Sequence, residues 1–307
     1  MKLIVQGLGR MGLQIAHKLA EADHMVIALN RSPEPVEHSK TYGCIGAYSM
    51  DDAVNHFNDG EQIVVWIMLP HDIAELTVRK WSERLPRGSI IINGANSDYR
   101  KIKALNRSVQ GTGIDLIDVG VSGGVWGYAN GFPLMVGADD RNAVTAIEPI
   151  LESLSKPGGA WGYFGKSGAG NYVKMVHNAI EYGMMQSLAE GYQLLHDGPY
   201  ENMDMALAGS VWQHHSVISS WLNELTRQAV SENPDMDGVS GAVSESGETR
   251  WALETADSLG FDLPAIQTAF DVRIKSQQGS TNYATKVVAA QRNKFGGHDL
   301  NGQGVAR

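Results

Sequence analysis

Residues 171–186 read NYVKMVHNAIEYGMMQ and carry side chains that can move protons or hold hydroxyl groups: Lys174, His177, Asn178, Glu181 and Tyr182. At about 100° per helical residue, Asn178 and Glu181 fall within roughly 40° of Lys174, on opposite sides. By the same count His177 lies about 60° to one side and Tyr182 about 80° to the other. One helical stripe would then present an amine, an amide and a carboxyl, the set that a proton abstraction and a later proton return require. A Lys and a Glu seven residues apart are also common on solvated helix faces, so the stripe alone does not separate the two readings.

A second chemical motif opens the chain. KLIVQ runs into GLGRMG, giving Gly7, Gly9 and Gly12, and the helical pattern QIAHKLAEA follows. The first glycine permits a tight turn, the second admits a pyrophosphate close to the backbone, and the third lets helix and strand pack closely. The phosphates then meet the unpaired N–H groups of a helix N-terminus. Roughly 20 residues on, where an NAD enzyme places a carboxylate for the ribose 2′-hydroxyl, this chain has Asn30, Arg31 and Ser32. A 2′-phosphate would pair with the Arg31 guanidinium and take a hydroxyl from Ser32. The expectation is NADP, with NAD left open.

These groups need elements to hold them. Short apolar runs at residues 2–6, 25–29, 63–69, 89–93 and 116–121 alternate with helical patterns, which predicts βαβ units and a mostly parallel sheet. Beyond the glycine-rich PGGAWGYFGKSGAGN, strand signals largely vanish. Helical patterns cover 171–195, 210–230 and 248–259, and the polar stretch 233–247 reads as a loop. The expected fold class is therefore α/β: a Rossmann-type dinucleotide-binding domain over 1–166, followed by an all-α domain over 167–307.

Composition narrows the function classes. The chain has 307 residues, 43% hydrophobic, with a formal net charge of -9, enough for packed cores and unsuited to a nucleic-acid surface. One cysteine, Cys44, excludes an internal disulfide and a cysteine metal cluster. The N-terminus lacks a signal-peptide pattern and no run is long enough to span a bilayer, so a cytoplasmic protein bound to neither membrane nor metal is expected. Adjacent His214 and His215 diverge by about 100° on a helix and are read as structural or exposed.

KMVHNAIEYGMMQ, together with VSGGVWGYANGFPLMVG, INGANSDYRK and AQRNKFGGHDL, resembles the 6-phosphogluconate dehydrogenases, and these motifs span nearly the whole chain. The length resembles the family's short form. SGETRW departs from the GQKGTGKW of longer members: Ser246 and Arg250 stand at its lysines. Ala95 and Ala179 replace glycines often seen in the family.

The resemblance implies a mechanism and a set of roles. Lys174 would take the proton from the substrate's carbon-3 hydroxyl while hydride passes to NADP, its pKa lowered by desolvation. Protonated again, it would assist loss of carbon dioxide. Glu181 would then protonate carbon 1 of the enediol to give ribulose 5-phosphate. Ser122, Gly123 and Gly124 would hold the carboxylate, Asn96 would contact the substrate, His177 and Asn178 would bind its hydroxyls, and Tyr182, Arg273, Arg292 and His298 the phosphate. Arg273 rests only on its distance after Trp251 and on the surrounding helical pattern, and is as readily a surface residue. Arg10, Met11, Met68, Leu69 and again Asn96 complete the candidate nucleotide contacts. The tail would reach a neighbouring subunit's site, making the protein a homo-oligomer, dimer or tetramer. Two other readings are a 3-hydroxyisobutyrate-type dehydrogenase for a small non-phosphorylated acid, which does not account for Glu181 with Tyr182 or for the tail, and a non-catalytic NAD(P) sensor, which does not need Lys174 and Glu181.

Overall fold

A computed structural model describes residues 1–300. The chain divides into two compact units, Met1–Lys174 and Met175–Arg307. In the first, strands β1 (Lys2–Gln6), β2 (Met25–Leu29), β3 (Ile45–Ala47), β4 (Val64–Ile67), β5 (Ile90–Asn93), β6 (Asp115–Val121), β7 (Leu134–Ala138) and β8 (Trp161–Gly165) form one sheet. Their order is β3-β2-β1-β4-β5-β6-β7-β8. All pairings are parallel except β6 with β7. Helices α1 (Arg10–Glu21), α2 (Pro33–Lys40), α3 (Met50–Val54), α4 (His71–Arg84), α5 (Tyr99–Val109), α6 (Gly127–Asn130), α7 (Arg141–Ala146) and α8 (Glu148–Ser155) are the connections.

The sheet is covered on both faces, which is why its central strands are almost wholly apolar. Successive side chains alternate between the faces. Leu3, Val5, Trp66 and Ile92 join Ile15 and Leu19 of α1 in one core. Ile4, Val65, Ile67 and Ile91 join Trp81 of α4 and Leu105 of α5 in the other. The expected α/β class holds, with β3, β7 and β8 as additional strands. β8 lies inside the glycine-rich segment whose composition reads as a turn; pairing with β7 and the Tyr163 hydroxyl donating to the Ala138 carbonyl at 3.0 Å hold it extended.

Helix α9 (Ala169–His196) begins in the first unit and continues into the second, joined there by α10 (Met205–Gln213), α11 (Trp221–Glu232), α12 (Glu248–Leu259), α13 (Pro264–Gln277) and α14 (Tyr283–Gly296). Met185, Ala189 and Tyr192 of α9 form a core with Ala229 and Val230 of α11 and Val287 and Val288 of α14. A reciprocal cap between Asn282 and Thr285 starts α14. The single helical pattern expected over 210–230 is broken into α10 and α11. His215 takes φ 61°, which a right-handed helix cannot contain, and the Ser220 hydroxyl restarts the helix by accepting from the Asn223 N–H at 3.1 Å. No helix among the described residues is long and apolar enough to cross a membrane.

Candidate active site

The parallel strands of the first unit bring several sequence candidates to one edge of the sheet. Gly7–Gly12 follow β1, Met68 and Leu69 follow β4, Asn96 follows β5, and Ser122–Gly124 follow β6, all at carboxyl ends, where open α/β sheets bind their ligands. Gly7 has φ +98°, and a Cβ there would lie 2.4 Å from the Met68 carbonyl oxygen and 2.9 Å from Leu69 Cδ2. At Gly12 a Cβ would lie 1.8 Å from the Gly7 oxygen, whereas at Gly9 it would meet nothing within 4 Å. Two glycines thus permit contact and the middle one leaves the backbone open. Helix α1 starts at this opening with no capping side chain and no acidic residue in its first turn, so its dipole faces outward uncompensated.

At the end of β2, Asn30 is tied to the turn itself. Its Oδ1 accepts from the Leu8 N–H at 3.2 Å and its Nδ2 donates to the Ser32 carbonyl at 3.2 Å. Arg31 and Ser32 are exposed.

Lys174, in the second turn of α9, is 7% exposed. Its stem passes over β6 at Gly120, where a Cβ would lie 2.4 Å from Lys174 Cβ. Two residues earlier on β6, fully buried Asp118 anchors the start of α9: its carboxylate accepts from Gly168 N at 2.6 Å and Asn171 N at 2.9 Å. Burial pushes its pKa up to about 6 against those hydrogen bonds. Asn171 in turn accepts from Ser97 N at 3.0 Å, next to exposed Asn96. One network therefore fixes both the helix that carries Lys174 and the loop that carries Asn96. On the other strand end, Gly123 and Gly124 take φ 113° and 53°, forming the bend after Ser122.

The second unit assembles the remaining candidates. Asn178 Nδ2 donates to Glu248 Oε1 at 3.0 Å, and Asn178 Oδ1 lies 3.0 Å from His177 Nδ1. His177 Nδ1 is 3.8 Å from Glu181 Oε2. Tyr182 is 4% exposed, with its hydroxyl buried and unpartnered among the described residues. The Arg273 guanidinium sits over the Tyr182 ring, 3.4 Å from its centroid, a desolvated cation–π contact. Arg273 is 4% exposed and Arg292 8%; the surface placement open to Arg273 from sequence is not what it adopts. Burial first, then the charge of Arg273, push the pKa of Arg292 down to about 10.

Arg292 feels Arg273, Tyr182, Glu181 and Glu248 of its own chain and donates to Ser244 Oγ at 3.3 Å. Asn293 Nδ2 donates to the His298 carbonyl at 2.7 Å, folding His298 back along α14. Residues 301–307 of the tail lie outside the described residues. Of the two positions that depart from the family's lysines, Ser246 is exposed and Arg250 is held by Glu245 Oε1 at 2.9 Å. His214 Nδ1 bonds the Ser210 carbonyl oxygen at 2.7 Å, and His215 lies in the break between α10 and α11.

Sequence reading missed Gly120, Asp118, Asn171 and Glu248. A glycine inside a strand marks close backbone approach, so DVGVSGG carried the signal for Gly120. The others needed partners far along the chain.

The family model described as the NAD binding domain of 6-phosphogluconate dehydrogenase matches residues 2–169, and that of the 6-phosphogluconate dehydrogenase C-terminal domain matches 170–303. YqeC of Bacillus subtilis, which carries the name 6-phosphogluconate dehydrogenase provisionally, is 34% identical over 97% of this chain and 98% of its own. An NAD(+)-dependent, decarboxylating 6-phosphogluconate dehydrogenase of Haloferax volcanii is 31% identical over 98% of each chain. Among solved structures, Plasmodium falciparum 6-phosphogluconate dehydrogenase has a TM-score of 0.81 at 22% identity, over 96% of this chain and 71% of that one. Mycobacterium tuberculosis 3-hydroxyisobutyrate dehydrogenase has 0.71 at 20%, over 95% and 99%. At such identities the structures speak to the fold.

Proposed function

The chain belongs to the 6-phosphogluconate dehydrogenase family of NAD(P)-binding oxidoreductases, and from that premise we propose that it converts 6-phosphogluconate and NADP to ribulose 5-phosphate, carbon dioxide and NADPH. The observation that carries the phosphorylated substrate is the pair Arg273 and Arg292. Both guanidinium groups are buried, and neither lies within ion-pair distance of a carboxylate among the described residues. Buried charge left without a counter-ion is strongly unfavourable, and a phosphate would supply the missing anion, with the Tyr182 hydroxyl as a further donor.

The nucleotide fits the first unit on the features given above: the open backbone at Gly9 and the uncapped start of α1. When bound, its nicotinamide accepts the hydride. Arg31, exposed and free of a neighbouring carboxylate at position 30, would receive the 2′-phosphate, which favours NADP; the Haloferax volcanii relative is named for NAD. Ser122 and the N–H groups of Gly123 and Gly124 would take the substrate carboxylate. Lys174, buried and held by Gly120, takes the proton of the carbon-3 hydroxyl as hydride leaves that carbon, giving a 3-keto acid. The ammonium so formed hydrogen-bonds the keto oxygen and stabilises the enediolate as carbon dioxide departs. Glu181, seven residues further along α9, gives its proton to carbon 1.

The homo-oligomer belongs to the same proposal. Val176, Ile180 and Met184 are exposed at four-residue spacing on α9, and Leu207 and Val211 likewise on α10. Apolar stripes of this kind favour burial against a second copy.

The test is to incubate the purified protein with 6-phosphogluconate and NADP or NAD, following reduced nucleotide and released carbon dioxide together. Both signals are expected in equal amounts, faster with NADP. Reduction without carbon dioxide would indicate a non-decarboxylating relative, and silence in both would remove the catalytic reading.

A further inference from the structure

Glu248 has no role in the chemistry above. It opens α12 after Gly247, whose φ is 101°, and it is 3% exposed. One of its oxygens, Oε2, is buried without a hydrogen-bond partner among the described residues. A carboxylate is stabilised at a helix N-terminus, yet a half-paired buried acid is unfavourable and calls for an explanation. Its other oxygen supplies one.

We propose that Glu248 is a positioning residue that fixes the imidazole tautomer of His177 through the side-chain amide of Asn178. An ionised carboxylate can only accept hydrogen bonds. At 3.0 Å from Glu248 Oε1, Asn178 must therefore present its NH2 group there. That leaves Asn178 Oδ1 facing His177 Nδ1 at 3.0 Å. Since this oxygen can only accept, His177 Nδ1 must carry a hydrogen. In the neutral ring the lone pair then lies on Nε2. His177 is exposed, so Nε2 is available as an acceptor for a ligand hydroxyl. Glu181 Oε2, 3.8 Å from the same Nδ1, faces the donor edge of the ring, which favours the same tautomer. That the hydroxyl belongs to a sugar acid rests on the function proposed above; the tautomer does not.

The experiment is nitrogen-15 NMR of histidine-labelled protein. The chain has 10 histidines, and the His177 signals are identified by their loss in His177→Asn. The wild type should show a protonated Nδ1 and an unprotonated Nε2. Glu248→Leu, close in volume but unable to accept, should release the Asn178 amide and shift His177 toward the Nε2–H form. Glu248→Gln, whose carbonyl can still accept from Asn178, should restore the wild-type signature. A wild-type ring in the Nε2–H form overturns the proposal without any variant. So does an unchanged tautomer in folded Glu248→Leu protein, folding being read from the dispersion of the same spectra. In turnover, Glu248→Leu should lower kcat/KM for 6-phosphogluconate by about tenfold to a hundredfold and leave KM for NADP as it was. Should wild-type protein ignore 6-phosphogluconate while the tautomers behave as stated, the substrate assignment falls and the role of Glu248 stands.

Discussion

The residues that could do chemistry differ in how their surroundings prepare them. Lys174 is buried and the base of its side chain lies against a glycine on β6, so packing fixes where its stem starts. Lys174→Met should lower oxidation about a hundredfold to ten-thousandfold, the usual range for a lost acid or base, whereas Glu181→Gln should leave nucleotide reduction largely intact and slow formation of ribulose 5-phosphate. Single-turnover kinetics separates the steps; equal loss of reduction in both variants would contradict the division of labour. Arg273 tests the anion pocket in the opposite sense. A buried cation without an ion-pair partner is costly to keep desolvated, so Arg273→Met should raise the melting temperature of the ligand-free protein. The same change should raise KM for 6-phosphogluconate at least about tenfold, the effect of losing one charge-assisted hydrogen bond. A lower melting temperature with unchanged KM would mean that Arg273 serves packing alone.

At the scale of elements, the junction of β6 with the start of α9 organises the candidate residues of the first unit. Asp118 holds the start of α9 and, through Asn171, the loop after β5. Its folded pKa of about 6 lies above the unfolded value of about 3.9. The folded state therefore binds the proton more tightly, and the stability this gives is complete below about pH 4 and lost as pH rises through about 6. The shift corresponds to about 3 kcal/mol. Asp118→Asn cannot titrate, so the difference in unfolding free energy between wild type and variant should shrink in favour of the variant between about pH 4 and 7. Denaturant titrations across that interval measure it, and a constant difference would show that Asp118 does not titrate there.

For the whole molecule, exposed apolar residues form a stripe on one helix, Val176, Ile180 and Met184 of α9. Ile180→Glu should place a charge on that stripe and shift sedimentation velocity from oligomer to monomer, because charged residues are depleted from interface cores. A wild-type protein that sediments as a monomer would end the oligomer proposal.

What the sequence determined by itself is local. The apolar runs gave β1 and β2 with their observed ends, 2–6 and 25–29, since strands buried on both faces need unbroken apolar residues. The glycine turn, the long helix after residue 168 and the Lys174–Glu181 stripe were equally legible, because backbone conformation and helical phase depend on near neighbours. The tertiary structure decided what depends on distant ones. Asp118 meets Gly168 across 50 residues and Asn178 meets Glu248 across 70, and neither pairing leaves a periodic trace. The same holds for Arg273, which the sequence left as readily on the surface as in the site and which is buried with its guanidinium over the Tyr182 ring of α9. β8 was hidden for a related reason: its glycines speak for a turn, and only the open edge of β7 makes them a strand.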